Sequence, residues 1–247
     1  MINKTRLLSG ISGLQVSFFC ILFVCLTGIT HAQNIILDVG QEKPEPRWLV
    51  LPYVFHTESL QTAYGIAGGT SGYLQPQMGS FAALMGTTNE SAAAFLAISD
   101  YQLPFLKRGF IDFRGSVAHY TDSRVYAGFN SGFPGQRAGA NNSSNDNYIQ
   151  GEDSDNWFEL KLKYLLPTGK AKNTVINTFT LADGLLVNGA TGGDAWNPLA
   201  SGRLNFETMF FFRDRAFMTT TDELAGRTNG LEFALEYDNR DFYANPF

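Results

Sequence analysis

Cysteine is almost absent from this chain of 247 residues, because Cys20 and Cys25 are its only two and both lie near the start. Without further thiols the chain has no disulfide framework and no thiolate metal site. Histidine is also scarce, and His56 and His119, the two that follow residue 32, form no paired motif. We therefore expect no zinc site and no cofactor.

Long hydrophobic runs are absent beyond the first 32 residues. The apolar run from Phe18 to Leu26 is shorter than the roughly 20 residues that a membrane-spanning helix needs. It follows a basic start and precedes the small residues around Thr30-His31-Ala32. This pattern predicts a cleaved secretory signal over residues 1–32, with an uncleaved membrane anchor as the alternative.

The usual catalytic signatures are missing as well. Gly69-Thr70-Ser71-Gly72 lacks the Gly-x-Ser-x-Gly elbow of hydrolases, and the run from Gly189 to Gly193 lacks the lysine of a phosphate-binding loop. Both are better interpreted as turns, so we expect no enzyme activity. A net charge of -5 and the lack of any basic run argue against a nucleic-acid partner.

A group of acidic residues falls in a stretch rich in Gly, Asn and Ser, namely Asp146, Glu152, Asp153 and Asp155. Carboxylates of this kind could hold calcium. Their spacing does not match the twelve-residue calcium loop, however, which favours a solvated surface loop. We therefore expect no metal site here either.

What the chain does have is strict alternation of apolar and polar residues. Near the C-terminus, Leu231, Phe233 and Leu235 alternate with Glu232 and Glu236. A strand sends successive side chains to opposite faces, so one face is apolar and the other is charged. That contrast is typical of a transmembrane barrel, whose outside meets lipid and whose inside meets water. Similar alternation begins at Ile111, Phe158 and Arg203.

The charged positions of these segments are candidates for a charge network in the barrel lumen. They are Glu159, Lys161, Lys163, Arg203, Glu207, Glu232 and Glu236. Asp238 and Arg240 lie two apart on one strand face and could pair with each other or with Glu236. The alternative is that these charges are simply solvated in a wet lumen, where ion pairs contribute little.

The chain is predicted to have three parts. They are the signal peptide at residues 1–32, a short periplasmic leader with little regular structure at 33–48, and an all-β antiparallel transmembrane barrel domain at 49–247. We count eight or nine strands of about ten residues, the length that crosses a bilayer at a tilt. The predicted long connections are residues 121–155, 183–201 and 215–229.

The run Tyr237-Asp238-Asn239-Arg240-Asp241, followed by Asn245-Pro246, resembles the signature of the bacterial surface antigen family. This family is the barrel portion of the outer-membrane assembly-factor superfamily of Gram-negative bacteria, which includes BamA-like and TamA-like proteins. The matching positions are Tyr237, Asp238, Arg240, Asp241 and Pro246. Trp196-Asn197-Pro198 also looks similar to stand-alone members. The resemblance implies an outer-membrane location, with outer-membrane lipid and the barrel-assembly machinery as partners.

Two features differ from the family pattern. The chain ends at Phe247, before the expected turn glycine and the strands after it, and it has no room for periplasmic transport-associated domains before Trp48. We therefore expect the N-terminal portion of a larger barrel of up to about 16 strands. The expected function is a membrane-embedded structural or assembly-related module. The alternatives are a passive channel for small solutes and a barrel anchor for a partner enzyme.

Overall fold

A computed structural model describes residues 35–39, 46–126, 130, 132–182, 185–193, 196–220 and 223–241, the first of these ranges by its backbone alone. The predicted signal peptide and Pro246 lie outside the described residues. The regular secondary structure of the described part of the chain is almost entirely β-strand, with one short 3-10 helix at Gly169–Lys172. Within that part, no helix combines the length and the apolar character that crossing a membrane requires.

Eight antiparallel strands form the main sheet, and three more form a small second sheet. In chain order the strands are β1 (Ile35–Val39), β2 (Arg47–Thr57), β3 (Gln61–Ser71), β4 (Gly79–Thr87), β5 (Ala92–Gln102), β6 (Gly109–Val125), β7 (Ile149–Leu165), β8 (Asn177–Ala182), β9 (Leu185–Asn188), β10 (Arg203–Met218) and β11 (Glu223–Asp238). The main sheet has the order β11-β10-β7-β6-β5-β4-β3-β2, and the small sheet has the order β1-β8-β9. The prediction of an all-β antiparallel fold is confirmed.

The main sheet is open. Its two edge strands are β2 and β11, and within the described ranges neither of them pairs with a second neighbour. We call the end of the sheet at Arg47 and Asp238 the lower end, and the end at Thr57 and Glu223 the upper end. The predicted closure into a barrel is therefore not part of the described fold.

The two faces of the main sheet differ in chemistry. The strand register defines a row of opposed residues that crosses the whole sheet, namely Val50, Gly68, Ala82, Leu96, Gly115, Phe158, Phe212 and Asn229. Apart from the bulges, every second residue along a strand shares the face of this row. That face carries exposed side chains such as Leu84 and Phe233, and we call it the apolar face. The opposite face carries Glu159 and Lys161, and we call it the charged face.

Two predicted loops are shorter than expected. Of residues 121–155, β6 takes the part up to Val125 and β7 the part from Ile149. The prediction of a long connection over residues 215–229 is wrong, because nearly all of them belong to the β10–β11 hairpin. In these segments polar residues occupy both faces near the upper end of the sheet, so the alternation that indicates a strand is lost.

The expectation that residues 33–48 have little regular structure is also corrected. They contain β1, which pairs in parallel with β8, and the start of β2. Likewise β9 lies inside the predicted connection 183–201. A strand of five residues that two prolines follow within seven positions gives little periodic signal, which explains why the sequence did not indicate it.

The lower end of the charged face is covered by residues 169–176, which we call the cap segment. Ala171, Val175 and Ile176 pack against Phe110 and Leu165, which are fully buried. Arg108 fixes the same segment by donating hydrogen bonds from its guanidinium to the carbonyl oxygens of Ala171, at 2.9 Å, and Lys172, at 3.0 Å.

Candidate functional site

Ion pairs join neighbouring strands along the charged face. Arg114 of β6 pairs with Glu159 of β7. Lys161 of β7 places its Nζ 2.8 Å from Oε2 of Glu207 on β10. In each case the strand register sets the two side chains directly opposite or diagonally adjacent, which is where cross-strand pairs interact. Two strand junctions are thus tied by charge as well as by backbone hydrogen bonds.

The most buried charges form a three-residue cluster at the lower end. Nζ of Lys163 lies 2.7 Å from Oδ1 of Asp100 and 2.7 Å from Oδ2 of Asp112. The Lys163 side chain is 6% exposed and that of Asp100 is fully buried. Asp100 sits at the irregular step of β5, with a positive φ of 56°, and its backbone N–H donates to Oδ1 of Asp112 at 2.8 Å. The cluster therefore fixes β5, β6 and β7 together.

The acidic residues of β7 pair with arginines of β10 toward the upper end. Asp155 accepts two hydrogen bonds from Arg213, at 2.7 and 2.6 Å, and Asp153 accepts two from Arg215, at 3.0 and 2.6 Å. Such bidentate pairs have a fixed geometry. Asp153 and Asp155 were expected in a solvated loop, and this is corrected, because both are strand residues. Among the described residues, no group of three or more His, Cys, Asp and Glu side chains could hold a metal ion.

A cavity of about 1350 Å³ lies against the charged face. Its lining reaches from Tyr53 on β2 to Thr228 on β11 and includes Trp157, Arg114 and Arg213. The sheet is therefore curved enough for its two edge strands to face one space. This space has both aromatic and charged walls.

Arg203 links the charged face to the cap segment. Its side chain is almost fully buried and donates to the carbonyl oxygens of Thr174, at 3.4 Å, and Val175, at 2.5 Å. A buried guanidinium needs such acceptors, because an unpaired buried charge is costly. Through these two hydrogen bonds Arg203 holds the connection that follows β7 against the charged face.

The last residues of β11 and those just after it contact the connection that precedes β10, and we call this contact the lower hub. The Tyr237 ring meets the Trp196 ring edge-on at a centroid distance of 5.4 Å. The Ser201 hydroxyl donates to Oδ1 of Asn239 at 2.8 Å. Thr191 donates through its hydroxyl to the Arg240 carbonyl oxygen at 2.8 Å. The two segments on which the expected family resemblance rests therefore contact each other.

Asp238 and Arg240 pair with each other within this hub. The Arg240 guanidinium donates to both carboxylate oxygens of Asp238, each at 2.8 Å. These side-chain hydrogen bonds raise the pKa of Arg240 above its usual value. The predicted pairing of these two residues is thus present, and Asp238 also accepts from the Arg240 backbone N–H at 3.0 Å.

The predicted luminal residues share the charged face, but they do not converge on one centre. Glu159, Lys161 and Glu207 belong to cross-strand pairs, and Lys163 belongs to the buried cluster. Glu236 lies beside Glu207, whereas Glu232 is exposed on the edge strand β11. The face is therefore a series of local pairs spread over four strands.

Sequence reasoning missed several members of this arrangement. Asp100, Asp112 and Arg114 were not among the candidates, although each provides the partner of a predicted residue. The alternation from Ile111 already puts Asp112 and Arg114 on the polar face, so that signal could have indicated them. Asp100 could not be indicated in this way, because a bulge changes the face to which it points.

Comparison of the chain with protein-family models, with curated proteins and with solved structures gives no match.

Proposed function

We propose that this chain is an outer-membrane β-barrel protein of the bacterial surface antigen type, in which the main sheet forms part of the membrane-spanning wall. The observation that carries the proposal is the apolar face. In an ordinary soluble sheet such a face would be covered by other elements, yet here Leu231, Phe233 and Leu235 are each more than 60% exposed. Lipid would cover a surface of this kind.

The exposed apolar residues form a band that is inclined across the strands. On β2, Val54 lies four residues from the row residue Val50 toward the upper end. On β11, the uppermost large apolar side chain of the same face is Leu231, which lies two residues from the row residue Asn229 toward the lower end. Intermediate strands take intermediate positions, so the band shifts by about one residue per strand. A rise of ~3.3 Å against a strand spacing of ~4.8 Å gives a tilt of about 35°, as in membrane barrels.

Polar residues on the apolar face begin where this band ends. Asp214 of β10 and Arg227 of β11 lie above the row and form an exposed ion pair at 2.8 Å. At the same height on β2 the apolar face carries Pro52, two residues above the row residue Val50. Val54, two residues higher still, is 69% exposed. A band that descends from β2 to β11 accounts for both observations.

The proposed role is that of a membrane-embedded structural or assembly-related module without catalytic activity of its own. Its partners would be outer-membrane lipid and the barrel-assembly machinery that inserts it. The charged face would line the lumen, where the ion pairs between β6, β7 and β10 hold the strands in register. This part of the proposal is supported by the pairing of charges across strands.

Fractionation of a Gram-negative host that expresses the full chain tests this proposal. We expect the protein in the outer-membrane fraction, resistant to extraction by urea and released by detergent. Recovery in the soluble or urea-extractable fraction, with a compact sheet by circular dichroism, would contradict it. Phe233→Arg in the band and Asn229→Arg above it provide a matched pair, of which only the first should reduce insertion.

The cavity on the charged face favours a passive channel as a second candidate. It measures about 1350 Å³ and has charged and aromatic walls. The cap segment covers the lower end of the same face, however, which would obstruct conduction. Planar bilayer recordings separate the two functions: steady open pores would indicate a channel, and silence or rare openings would indicate an obstructed module.

A further inference from the structure

Two carboxyl groups meet on the charged face where β10 and β11 pair. Glu236 of β11 stands directly opposite Asn205 of β10 and diagonally across from Glu207. The side chains of Glu236 and Glu207 are in hydrogen-bonding contact with each other. An ionised carboxylate only accepts hydrogen bonds, so two of them make such a contact only if a positive charge lies between their oxygens.

The two carboxylate oxygens of Glu207 have different surroundings. Oε2 lies 2.8 Å from Nζ of Lys161 on β7, and the Glu207 side chain is only 8% exposed. Oε1 accepts no hydrogen bond from any residue in the described part of the chain. A buried acceptor without a donor is costly, so Oε1 requires a donor. The acid in contact with Glu207 is Glu236, and it becomes a donor when it is protonated.

The surroundings favour a proton over a metal ion between these oxygens. Lys161 and Lys163 both interact electrostatically with Glu236, and their ammonium groups would repel a metal cation. Two carboxyl groups, one of them already bound to an ammonium group, are also a poor ligand set for a divalent ion. A single proton satisfies the contact without further ligands, because one carboxyl then donates and the other accepts.

The other charged side chains on the strands and the cap segment around the pair have positions that leave this contact intact. They are Asp100, Arg108, Asp112, Lys163, Lys170, Lys172, Arg203, Glu232 and Asp238. The Lys163 ammonium is paired with the two aspartates, and both arginines donate to carbonyl oxygens of the cap segment or its neighbours. The cap lysines and Glu232 are exposed.

We propose that Glu207 and Glu236 form a proton-binding site, in which one shared proton joins the charged face of β11 to β10. Through Lys161 the same site is connected to β7. Loss of the proton leaves two negative charges in contact and weakens the attachment of β11. Both residues belong to one hairpin of the described sheet, so the inference does not depend on the proposed membrane location.

The pH dependence of unfolding tests the site. In the unfolded chain both glutamates are ionised above about pH 5. The folded pair then binds one proton more than the unfolded chain does, so unfolding becomes easier as the pH rises. In urea titrations of the purified full chain, the equilibrium constant for unfolding should rise by up to about tenfold per pH unit above about pH 5, until the folded pair also loses its proton.

A matched pair of variants isolates this contribution. Glu236→Gln keeps the shape of the side chain and places a permanent N–H donor beside Oε1 of Glu207. It should lose the part of the pH dependence that belongs to the pair. Glu232→Gln, an exposed residue on the same face of β11, should keep the wild-type profile. If the profiles of Glu236→Gln and the wild type are parallel, the pair shares no proton and the proposal is wrong.

Infrared spectroscopy of the folded protein detects the proton directly. A protonated carboxyl has a C=O stretch that an ionised carboxylate lacks. The difference spectrum between the wild type and Glu236→Gln at about pH 6 should contain this band, and the difference spectrum with Glu232→Gln should not. Absence of the band in the first spectrum would overturn the proposal. So would a wild type that EDTA destabilises while Glu236→Gln is unaffected, because a metal ion would then hold the pair.

Discussion

The sheet consists of two unlike halves. In β2 to β5 the only Asp, Glu, Lys or Arg residues are Arg47 and Asp100, at the lower ends of their strands. Strands β6, β7, β10 and β11 carry several charges each and are longer, at 16 or 17 residues against 9 to 11. One half is therefore held by the packing of small and aromatic side chains, and the other by ion pairs in addition.

In the half formed by β2 to β5, close packing of side chains takes the place of ion pairs between strands. The Tyr53 ring lies over Gly65, where a Cβ atom would come within 2.4 Å of it, and the Tyr53 hydroxyl donates to the Leu84 carbonyl oxygen at 3.1 Å. On the apolar face Gly86 lies in the same way under the Tyr64 ring. Glycines in strands commonly mark such close approach by an aromatic neighbour. What both halves share is the exposed apolar band.

The largest effect is expected at the buried cluster of Lys163, Asp100 and Asp112, which joins the charged half to β5 of the other half. Lys163→Met removes the cation and leaves Asp100 and Asp112 facing each other in a buried site. Loss of one partner of a buried pair costs about 3–5 kcal/mol. Urea unfolding in detergent micelles, followed by tryptophan fluorescence, should show a decrease of this size in the free energy of unfolding.

The matched control for Lys163→Met is Arg227→Met, whose exposed pair with Asp214 should contribute about 1 kcal/mol or less. Adding Asp100→Asn and Asp112→Asn to Lys163→Met should recover part of the loss, because the uncompensated charges are removed. If Lys163→Met and Arg227→Met cost the same, the buried cluster contributes no more to stability than an exposed ion pair does.

A charge in the apolar band should be costly in either half. Leu84→Arg lies in the half without charges and Phe233→Arg in the charged half, and both side chains are exposed on the apolar face. In a membrane barrel each should lower the free energy of unfolding by about 2–4 kcal/mol, against about 0–1 for Asn229→Arg above the band.

The free-energy penalties of Leu84→Arg and Phe233→Arg, taken together, show whether the apolar band crosses both halves of the sheet. Equal penalties for Leu84→Arg and Phe233→Arg would mean that one continuous lipid-facing band crosses both. A penalty confined to Leu84→Arg would contradict the inclined band, because Phe233 would then lie outside the membrane.

Gly65→Val should break the close packing of the first half. Any Cβ at this position meets both the Tyr53 ring and the Leu84 carbonyl oxygen at less than 3 Å, so the strands must shift. Overpacking of this kind costs about 1–3 kcal/mol. Gly226→Val on β11 is the control, because nothing lies within 4 Å of its Cβ position, and its cost should stay within about 0.5 kcal/mol.

The charged half is also the half that the sequence indicates most clearly. Alternation around Lys161 and around Glu232 predicts strands and faces correctly, because charge and apolar residues differ strongly. The segments that form β2 to β5 lack this contrast, and the Ala-rich composition from Ala92 to Tyr101 would also suit a helix. Only pairing with its neighbours makes β5 a strand, and pairing is a tertiary property.

The candidate site was predicted in part for the same reason. The faces of Glu159, Lys163 and Glu207 follow from a two-residue period, but the partner of each depends on the register between strands. Asp100 illustrates the limit, since the bulge before Tyr101 turns it toward Lys163. The lower hub joins residues more than 35 positions apart, and only the fold brings them together.

The smallest effect is expected at the lower hub, which ties the end of the charged half to the connection before β10. Trp196→Ala removes the edge-on contact with Tyr237, and Tyr237→Phe removes the hydroxyl that lies 3.2 Å from the Ser201 hydroxyl. Because Trp196 is 79% exposed, the loss should be at the lower end of the ~0.5–1.5 kcal/mol range of aromatic pairs. Hydrogen exchange should therefore increase in residues 196–202 and remain unchanged in β3 and β4.

The control is Phe105→Ala, which removes an exposed ring from another turn at the lower end. It should leave hydrogen exchange in residues 196–202 unchanged. If Phe105→Ala increases exchange in residues 196–202 as much as Trp196→Ala does, the lower hub is not a separate structural unit. The expected family resemblance of its two segments would then have no structural counterpart in this fold.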